Sequence, residues 1–384
     1  MEHLINHRVK NLEISGIRKF SNLVGQIEDM ISLTIGQPDF PTPLHVKEAG
    51  ISAIEHDVTS YTHNAGTMEL RKAACEFVKK KYQLHYQPES EVIVTIGASE
   101  AIDITFRTIL TEGAEVILPG PIYPGYEPVI RMMGAVPIHV DIRGHQFRFT
   151  LEAIKPYITE KTRCIVLPYP SNPTGVSLTE TELKEIADFL ADKDIFVLAD
   201  EIYSELTFDR PHRSIATFLK DQTIVINGLS KSHSMTGWRI GFLFAPEAIA
   251  KHILKVHQYN VSCANSIAQK AAYEALTKGI DDALEMKKEY AARRDYVYER
   301  LQAMGLKAVK PEGAFYFFVK IPNETLNSSE FALKLAHEAK VAVVPGSAFS
   351  EYGEGYFRLS YAYSMETLEN GLNRIETFLK NANY

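Results

Sequence analysis

The chain has 384 residues, of which 45% are hydrophobic and 23% are charged. This composition is typical of a globular protein of about two to three domains, and it excludes collagen-like, coiled-coil and wholly disordered chains. Acidic residues (48) outnumber Lys and Arg (41) without a basic block, so we expect a small ligand rather than a nucleic acid or a membrane surface.

The amino-terminal residues 1–8 lack the apolar core of a signal peptide, and no stretch approaches the roughly 18 apolar residues of a membrane span. The three cysteines, Cys75, Cys164 and Cys263, lie far apart and outside any metal-ligand spacing. Neither a disulfide framework nor a metal site is therefore indicated. We expect a cytosolic protein.

Short β-branched runs alternate with helical patterns between Glu91 and Phe244. Several runs are continuously apolar, which is typical of strands covered by helices on both faces of a largely parallel sheet. The sequence therefore predicts an α/β fold whose large domain has a seven-stranded, mostly parallel sheet between helices. The candidate strands are residues 92–96, 116–118, 136–138, 164–167, 195–199, 223–226 and 240–244.

A second, smaller α+β unit is predicted after Pro246. Helices at 68–82 and 183–190, the latter with a cap-like start at Thr179, belong to the first unit. A helix-rich stretch then extends to about Gly305, and the charges of 281–304 predict a long, exposed helix between two bodies. Strands at 314–319, 341–344 and 356–360 and helices at 331–339 and 365–379 follow. The predicted division is a large domain at 45–285 and a small domain formed by 1–44 and 286–384.

Ligands of such sheets bind where the strands end, so the residues after each strand indicate function. Gly97, Ala98 and Ser99 follow the first strand and begin a helix, which favours either a phosphate cradle or a plain turn capped by Ser99. Asn172 follows the fourth strand in a proline-rich turn. Its amide could donate to a phenolate oxygen, or the segment could be an ordinary Asn-Pro turn.

Charged residues follow two further strands, and another lies within a strand-like run. Asp200, directly after an apolar strand, requires a protonated ligand group, a structural Arg or a helix N-terminus opposite it. Lys231 could form an imine and Arg239 could bind phosphate; a solvated basic loop is the alternative, which Trp238 makes awkward. Arg358, in a strand-like run, requires either a substrate carboxylate or a protein Asp or Glu.

These requirements converge on pyridoxal 5'-phosphate. This cofactor needs a phosphate cradle, a carboxylate at its pyridine nitrogen, donors at its phenolic oxygen and a lysine that forms a Schiff base. No Gly-x-Gly-x-x-Gly or Walker pattern is present, which disfavours dinucleotide and ATP binding.

The motifs resemble the class I/II aminotransferases of fold type I. They are Gly-Gln-Pro-Asp-Phe at 36–40, Asn-Pro-Thr-Gly at 172–175, Asp-Glu-Ile-Tyr at 200–203 and the segment 230–241, in family order over nearly the whole chain. Segments 123–128 and 228–234 resemble the bacterial aminotransferase A subgroup. That resemblance implies action on N-acetyl-LL-diaminopimelate in lysine biosynthesis.

The resemblance also implies residue roles. Lys231 forms the Schiff base and shuttles the proton, and Asp200 keeps the pyridine nitrogen protonated. Arg358, helped by Asn172 and the Gly36 backbone, clamps the substrate α-carboxylate. Asn172 and Tyr203 are implied to contact the phenolic oxygen, and Tyr123 to stack on the ring. The phosphate is implied to contact Gly97, Ala98, Ser99, Ser230 and Arg239 of the same chain, and Tyr61 of the partner subunit.

The implied reaction is ping-pong transfer of an α-amino group from an amino acid to a 2-oxo acid, with 2-oxoglutarate as the expected acceptor, in a homodimer with active sites at the subunit interface. Gly228 stands where many relatives carry a hydroxyl residue, which leaves one phosphate hydrogen bond of the family without its usual donor.

Two other functions are compatible with part of this pattern. A pyridoxal-dependent C-S β-lyase would use the same scaffold and Lys231. A non-catalytic sensor is disfavoured, because the sequence has the complete set of Lys231, Asp200 and Arg358 and lacks a basic helix-turn-helix segment. No residue is identified as a clamp for a distal carboxylate; Arg18 is a candidate lid contact, but a surface charge is the favoured interpretation.

Overall fold

The computed structural model describes residues 1–322 and 325–382, and the strands of this part of the chain form three sheets. The strands are β1 Ile31–Ser32, β2 Val92–Thr95, β3 Glu115–Gly120, β4 Val136–Asp141, β5 Thr162–Pro168, β6 Phe196–Asp200, β7 Thr223–Gly228, β8 Gly241–Phe244, β9 Tyr316–Lys320, β10 Val341–Ala342, β11 Val344–Pro345 and β12 Tyr356–Ser360.

The α-helices are α1 His7–Lys10, α2 Gly16–Val24, α3 Leu44–Glu55, α4 Met68–Tyr82, α5 Gly97–Ile109, α6 Glu127–Met132, α7 Leu151–Ile154, α8 Glu180–Leu190, α9 Leu229–Ser232, α10 Glu247–Val261, α11 Ser266–Thr277, α12 Ala283–Ala303, α13 Ser328–Ala339 and α14 Met365–Asn381. The predicted start of α8 is confirmed as a capping box, in which Thr179 and Glu182 each accept the other's backbone N–H. Within the described residues, no helix combines the length and apolar character of a membrane span.

The large sheet has the strand order β2-β8-β7-β6-β5-β3-β4. Neighbouring strands from β7 through β6, β5 and β3 to β4 are parallel, which confirms the predicted seven-stranded, mostly parallel sheet. Only β8 is reversed within this sheet, since it pairs antiparallel with both β2 and β7. The beginning of β8 therefore lies at the edge where the other strands end.

Helices cover both faces of this sheet, which explains the continuously apolar strands. In β2, Val92 and Val94 join a cluster with residues of α4, α8 and α11, whereas Ile93 joins a second cluster with residues of α5 and α10. Successive side chains of a strand point to opposite faces, so each residue of a fully covered strand is apolar.

The second unit combines the carboxyl-terminal elements with the amino-terminal segment. Strands β11, β12 and β9 form an antiparallel sheet, and β1 pairs in parallel with β10. Phe20, Val24 and Leu33 share a hydrophobic cluster with residues of α12, α13 and α14. The predicted single strand at 341–344 is wrong: its residues divide into β10 and β11, which belong to different sheets.

The helix predicted at 281–304 is confirmed as α12. The prediction that it is exposed is wrong for one of its faces, which is buried. Residues of α12, among them Tyr290 and Val297, are buried. Arg293 and Arg294 are buried too. Their charges are compensated, because the Arg293 guanidinium donates to the Asp39 carboxylate at 2.8–2.9 Å and the Arg294 guanidinium donates to the Asp209 carboxylate at 2.9–3.0 Å. A charge count on one segment cannot reveal partners that are distant in sequence.

Candidate active site

The strand ends of the large sheet meet the second unit at a cavity of about 620 Å³. Most side chains singled out in the sequence lie here, although they come from widely separated segments. Those that line the cavity are Gly36, Ala98, Ser99, Tyr123, Asn172, Asp200, Tyr203, Ser230, Lys231, Arg239 and Arg358.

One end of the cavity is built to hold an anion. The backbone N–H groups of Ala98 and Ser99 lie in the first turn of α5, where they have no carbonyl partner within the helix and the helix dipole favours negative charge. Arg239 reaches the same place because the reversed strand β8 begins two residues after it. A Cβ at Gly97, where φ is +74°, would lie 2.6 Å from Arg239 Nη2. Glycine at position 97 thus allows the guanidinium to approach the turn.

Asp200 provides a buried negative charge at the end of β6. Its Oδ2 accepts a 2.6 Å hydrogen bond from the Tyr126 hydroxyl, and its Oδ1 accepts one from the Ile202 N–H at 3.2 Å. Burial raises the pKa of this carboxyl group, an effect that the Tyr126 and Ile202 hydrogen bonds oppose. Among the described residues no Arg, Lys or His forms an ion pair with Asp200, so a cationic ligand group would stabilise its charged form.

Lys231 lies in the single turn of α9 that follows β7. Its Nζ donates a 2.6 Å hydrogen bond to the Gly36 carbonyl oxygen, on the amino-terminal segment. Burial, together with the positive charges of Arg358 and Arg239, lowers the pKa of Lys231 to about 8, a shift that the negative charge of Asp200 opposes. A substantial fraction of this amine is therefore neutral, and nucleophilic, near neutral pH.

Arg358 lies on β12 with only 2% of its surface exposed. Its Nη1 donates to Asn172 Oδ1 at 2.8 Å and its Nη2 donates to the Thr34 carbonyl oxygen at 2.6 Å. Its Nε is buried without a partner, and no carboxylate of the described residues pairs with it. Of the two partners left open by the sequence, a protein carboxylate is thus not found in the described part of the chain, and the guanidinium is available to a carboxylate ligand.

Aromatic hydroxyls complete the centre of the cavity. The Tyr203 and Tyr316 hydroxyl oxygens are 2.9 Å apart, and burial raises the pKa of Tyr203 well above its usual value, which keeps the phenol protonated. Tyr123 packs edge-on against Tyr126, with ring centroids 5.8 Å apart. Neither Tyr126 nor Tyr316 was identified from the sequence. Tyr126 could have been found, because it lies in the segment that follows β3, on the side of the sheet where β6 ends at Asp200.

Tyr61 is not brought into the cavity of its own chain; its side chain is 89% exposed.

The surroundings of Gly228 explain why this chain has no hydroxyl residue at that position. A Cβ there would lie 3.1–3.2 Å from Ile202 Cδ1, Gly241 Cα and the Ile240 carbonyl oxygen. The packing of β7 against β8 therefore leaves little room for a side chain at position 228.

Arg18, for which the sequence favoured a plain surface position, lines the cavity from α2. Ser15, Ser21 and Asn22 of the same segment also line it. None of these three residues was identified from the sequence. A surface-like pattern on an amphipathic helix does not reveal that its polar face borders a cavity rather than open solvent.

Comparisons with known proteins identify the family and the fold. The sequence profile of the family "Aminotransferase class I and II" matches residues 28–375. The chain is 64% identical over 379 residues to the "Probable N-acetyl-LL-diaminopimelate aminotransferase" of Bacillus subtilis, covering 99% of this chain and 96% of that protein.

Two similar solved structures share the fold. The aromatic aminotransferase of Pyrococcus horikoshii has a TM-score of 0.90 at 41% identity, covering 95% of this chain and 99% of that one. The aspartate aminotransferase of Thermus thermophilus with maleate has a TM-score of 0.92 at 35% identity, covering 97% and 99%.

The lowered pKa of Lys231 predicts a measurable pH dependence. In ligand-free protein, acylation of Lys231 by acetic anhydride, followed by peptide mass spectrometry, should be half-maximal near pH 8, because only the neutral amine reacts. Arg358→Gln should move this midpoint to higher pH, since it removes a positive charge that lowers the pKa. Arg143→Gln, at an arginine paired with Asp141 outside the cavity, should not. A midpoint near pH 10.5 in the unaltered protein would contradict the prediction.

Proposed function

Because the chain belongs to the aminotransferase class I and II family, we propose that it is a pyridoxal 5'-phosphate-dependent enzyme that transfers an α-amino group from an amino acid to a 2-oxo acid by a ping-pong mechanism. The observation that carries the proposal is the single cavity that holds Lys231, Asp200 and Arg358. A C-S β-lyase is less well supported, because the similar proteins described above are aminotransferases by name.

The residues present fit this cofactor. The first turn of α5 and Arg239 offer N–H donors to a phosphate, and the glycine at 97 keeps that place open. Asp200, buried without a cationic partner among the described residues, fits a protonated pyridine nitrogen. Lys231 supplies the amine. When bound, the cofactor supplies an aldehyde for the amino group and a ring that withdraws electrons from the substrate Cα.

We assign the other contacts as follows. The Asn172 side-chain oxygen is engaged by Arg358, which leaves its amide N–H groups to donate to the phenolic oxygen together with the Tyr203 hydroxyl. Tyr123, at the cavity wall, would stack on the ring. Ser230 would add a hydroxyl contact to the phosphate.

Catalysis then depends on where this chain holds its charges. Arg358 would fix the α-carboxylate with its fork of N–H donors and so orient the bond from Cα to hydrogen. The Lys231 amine donates to the Gly36 carbonyl oxygen in the ligand-free protein. Once the amino group of the substrate has replaced it on the cofactor, this amine would take the proton from Cα and deliver it to the neighbouring carbon of the cofactor. A pKa of about 8 suits both directions of that transfer.

For the substrate, the name of the Bacillus subtilis relative supports N-acetyl-LL-diaminopimelate as amino donor or product and a role in lysine biosynthesis. We propose 2-oxoglutarate as the counterpart. We further propose a cytoplasmic enzyme with a large domain at 45–285 and a small domain at 1–44 and 286–384. Arg358 and Gly36, which would contact substrate, belong to the small domain.

We also propose a homodimer. Leu44, Ile51 and Ile54 on α3 are more than half exposed, as is Tyr259 on α10. Exposed apolar side chains of this kind are typical of a subunit interface. The loop that carries Tyr61 follows α3 and is tied to the end of α10, because Asn64 donates a 2.8 Å hydrogen bond to the Ser262 carbonyl oxygen. From there Tyr61 would reach the phosphate in the partner subunit.

The dimer is tested by light scattering, which should give about twice the 43.2 kDa mass of one chain. Tyr61→Phe should leave that mass unchanged while weakening cofactor binding roughly tenfold, because one hydrogen bond to a charged group is lost. Tyr259→Phe, another highly exposed tyrosine, is the matched control and should retain full cofactor affinity. A monomer that binds cofactor tightly would refute the proposed assembly.

Lys231→Ala should abolish amino transfer while leaving a folded protein that binds the cofactor non-covalently. Loss of the amine removes both the covalent link and the proton carrier, so we expect a decrease of at least about a thousandfold in turnover. The measurement is an assay of amino donors, acetylated diaminopimelate included, with 2-oxoglutarate. Pyruvate release without any acceptor would instead favour the β-lyase, and substantial amino transfer by the variant would remove Lys231 from its role.

Arg358→Gln should raise the KM for every amino-acid donor by about 10- to 100-fold, since a charged hydrogen bond to the carboxylate contributes about 1.5–3 kcal/mol. Steady-state kinetics with several donors would measure this. Arg143→Gln, outside the cavity, is the control. Unchanged affinity for all donors would exclude Arg358 as the carboxylate clamp.

A further inference from the structure

Helix α2 presents a polar face to the cavity. Ser15, Arg18 and Asn22 are spaced three and four residues apart and therefore share one face of the helix, with Ser21 beside them. All four line the cavity. On the other side of the helix Phe20 and Val24 are buried and anchor α2 to the second unit. The fold thus fixes the helix in an orientation that turns its polar side chains toward the ligand space.

These polar side chains have no protein partner among the described residues. Ser15 precedes the helix as its N-cap but makes no side-chain capping hydrogen bond. Arg18 forms no ion pair or hydrogen bond with the described residues, although Lys19, the next residue, bonds Glu13 at 2.7 Å. A cation left free on a cavity wall, next to a neighbour that is paired, is available to a ligand.

The other cationic groups of the cavity already have ligands under the proposed function. Arg239 and the first turn of α5 would hold the phosphate, and Arg358 would hold the α-carboxylate. Arg358 and Lys231 are the deeper groups, whereas Arg18 and Asn22 are exposed. A substrate whose α-carbon lies at Lys231 would therefore extend its side chain toward α2.

We propose that Arg18, with Ser21 and Asn22, forms a subsite for a carboxylate at the distal end of the substrate side chain. The inference rests on the proposed function and assigns a substrate class to it: L-α-amino acids that carry a second, distal carboxylate. The guanidinium fork of Arg18 matches carboxylate geometry. The Asn22 amide offers both a donor and an acceptor to a neutral polar group beside that carboxylate, such as an acylated amine.

The test compares two probes of equal length that differ only in the distal group. Heptanedioate and heptanoate are titrated calorimetrically into the holoenzyme and into its Arg18→Gln and Lys19→Gln variants. The substitution at position 18 should weaken heptanedioate binding by about 10- to 100-fold, the effect of a charged hydrogen bond, and leave heptanoate binding unchanged. The substitution at position 19 removes an equal charge from the same helix, outside the cavity lining, and should change neither.

The same three proteins are then given L-2-aminoheptanedioate or L-2-aminoheptanoate, and conversion of the bound cofactor is followed by its absorbance in a single turnover. The unaltered enzyme should prefer the diacid, and Arg18→Gln should lose that preference without slowing the monoacid. Equal losses for both probes, or no loss at position 18, would overturn the subsite while the aminotransferase stands. Conversion of neither donor, with diacid binding still dependent on Arg18, would count against the proposed function and not against the subsite.

Discussion

The site depends on a buried cation that the protein itself does not neutralise. Arg358 on β12 has no carboxylate partner among the described residues, and a buried charge without compensation is costly. Compensation comes from two oxygen acceptors, on Asn172 after β5 and on Thr34 after β1. The faces of the Tyr316 and Phe349 rings stabilise the charge further, because their centroids lie 4.3 and 4.9 Å from the guanidinium carbon. One side chain thereby joins the large sheet, the small sheet and the amino-terminal segment.

Burial and the positive charge of Arg358 both act on the titratable groups of the cavity. Burial disfavours the charged form of both Asp200 and Lys231, so the pKa of the carboxyl group rises and the pKa of the amine falls. For Lys231 the positive fields of Arg358 and Arg239 act in the same direction as burial. A dianionic phosphate at Arg239 and a carboxylate at Arg358 would oppose those fields. Ligand binding would accordingly move the Lys231 pKa back upward and favour an amine that can hold a proton.

Sequence reasoning succeeded where the chemistry is local and failed where it depends on tertiary partners. Continuously apolar strands and the Thr179 cap are properties of adjacent residues, and both were predicted correctly. Asp200 and Lys231 were found because parallel strands end at one edge. The partner of Arg358 stayed open, because whether a carboxylate lies opposite β12 is decided by residues far away in the sequence. The buried face of α12 was missed for the same reason, since Asp39 and Asp209 neutralise its arginines.

Under the proposed function, the arrangement separates the groups that would hold the cofactor from those that would select the substrate. The large sheet supplies Asp200, Lys231 and the anion cradle, and there the backbones are crowded: a Cβ at Gly241 would lie 2.7 Å from the Gly97 carbonyl carbon. Substitutions in that region force the backbone to shift. The polar face of α2 is exposed and carries none of the buried contacts of Phe20 and Val24, so its residues can change at little cost in stability. Substrate choice can therefore vary on α2 and its surroundings while the chemistry at Lys231 is preserved.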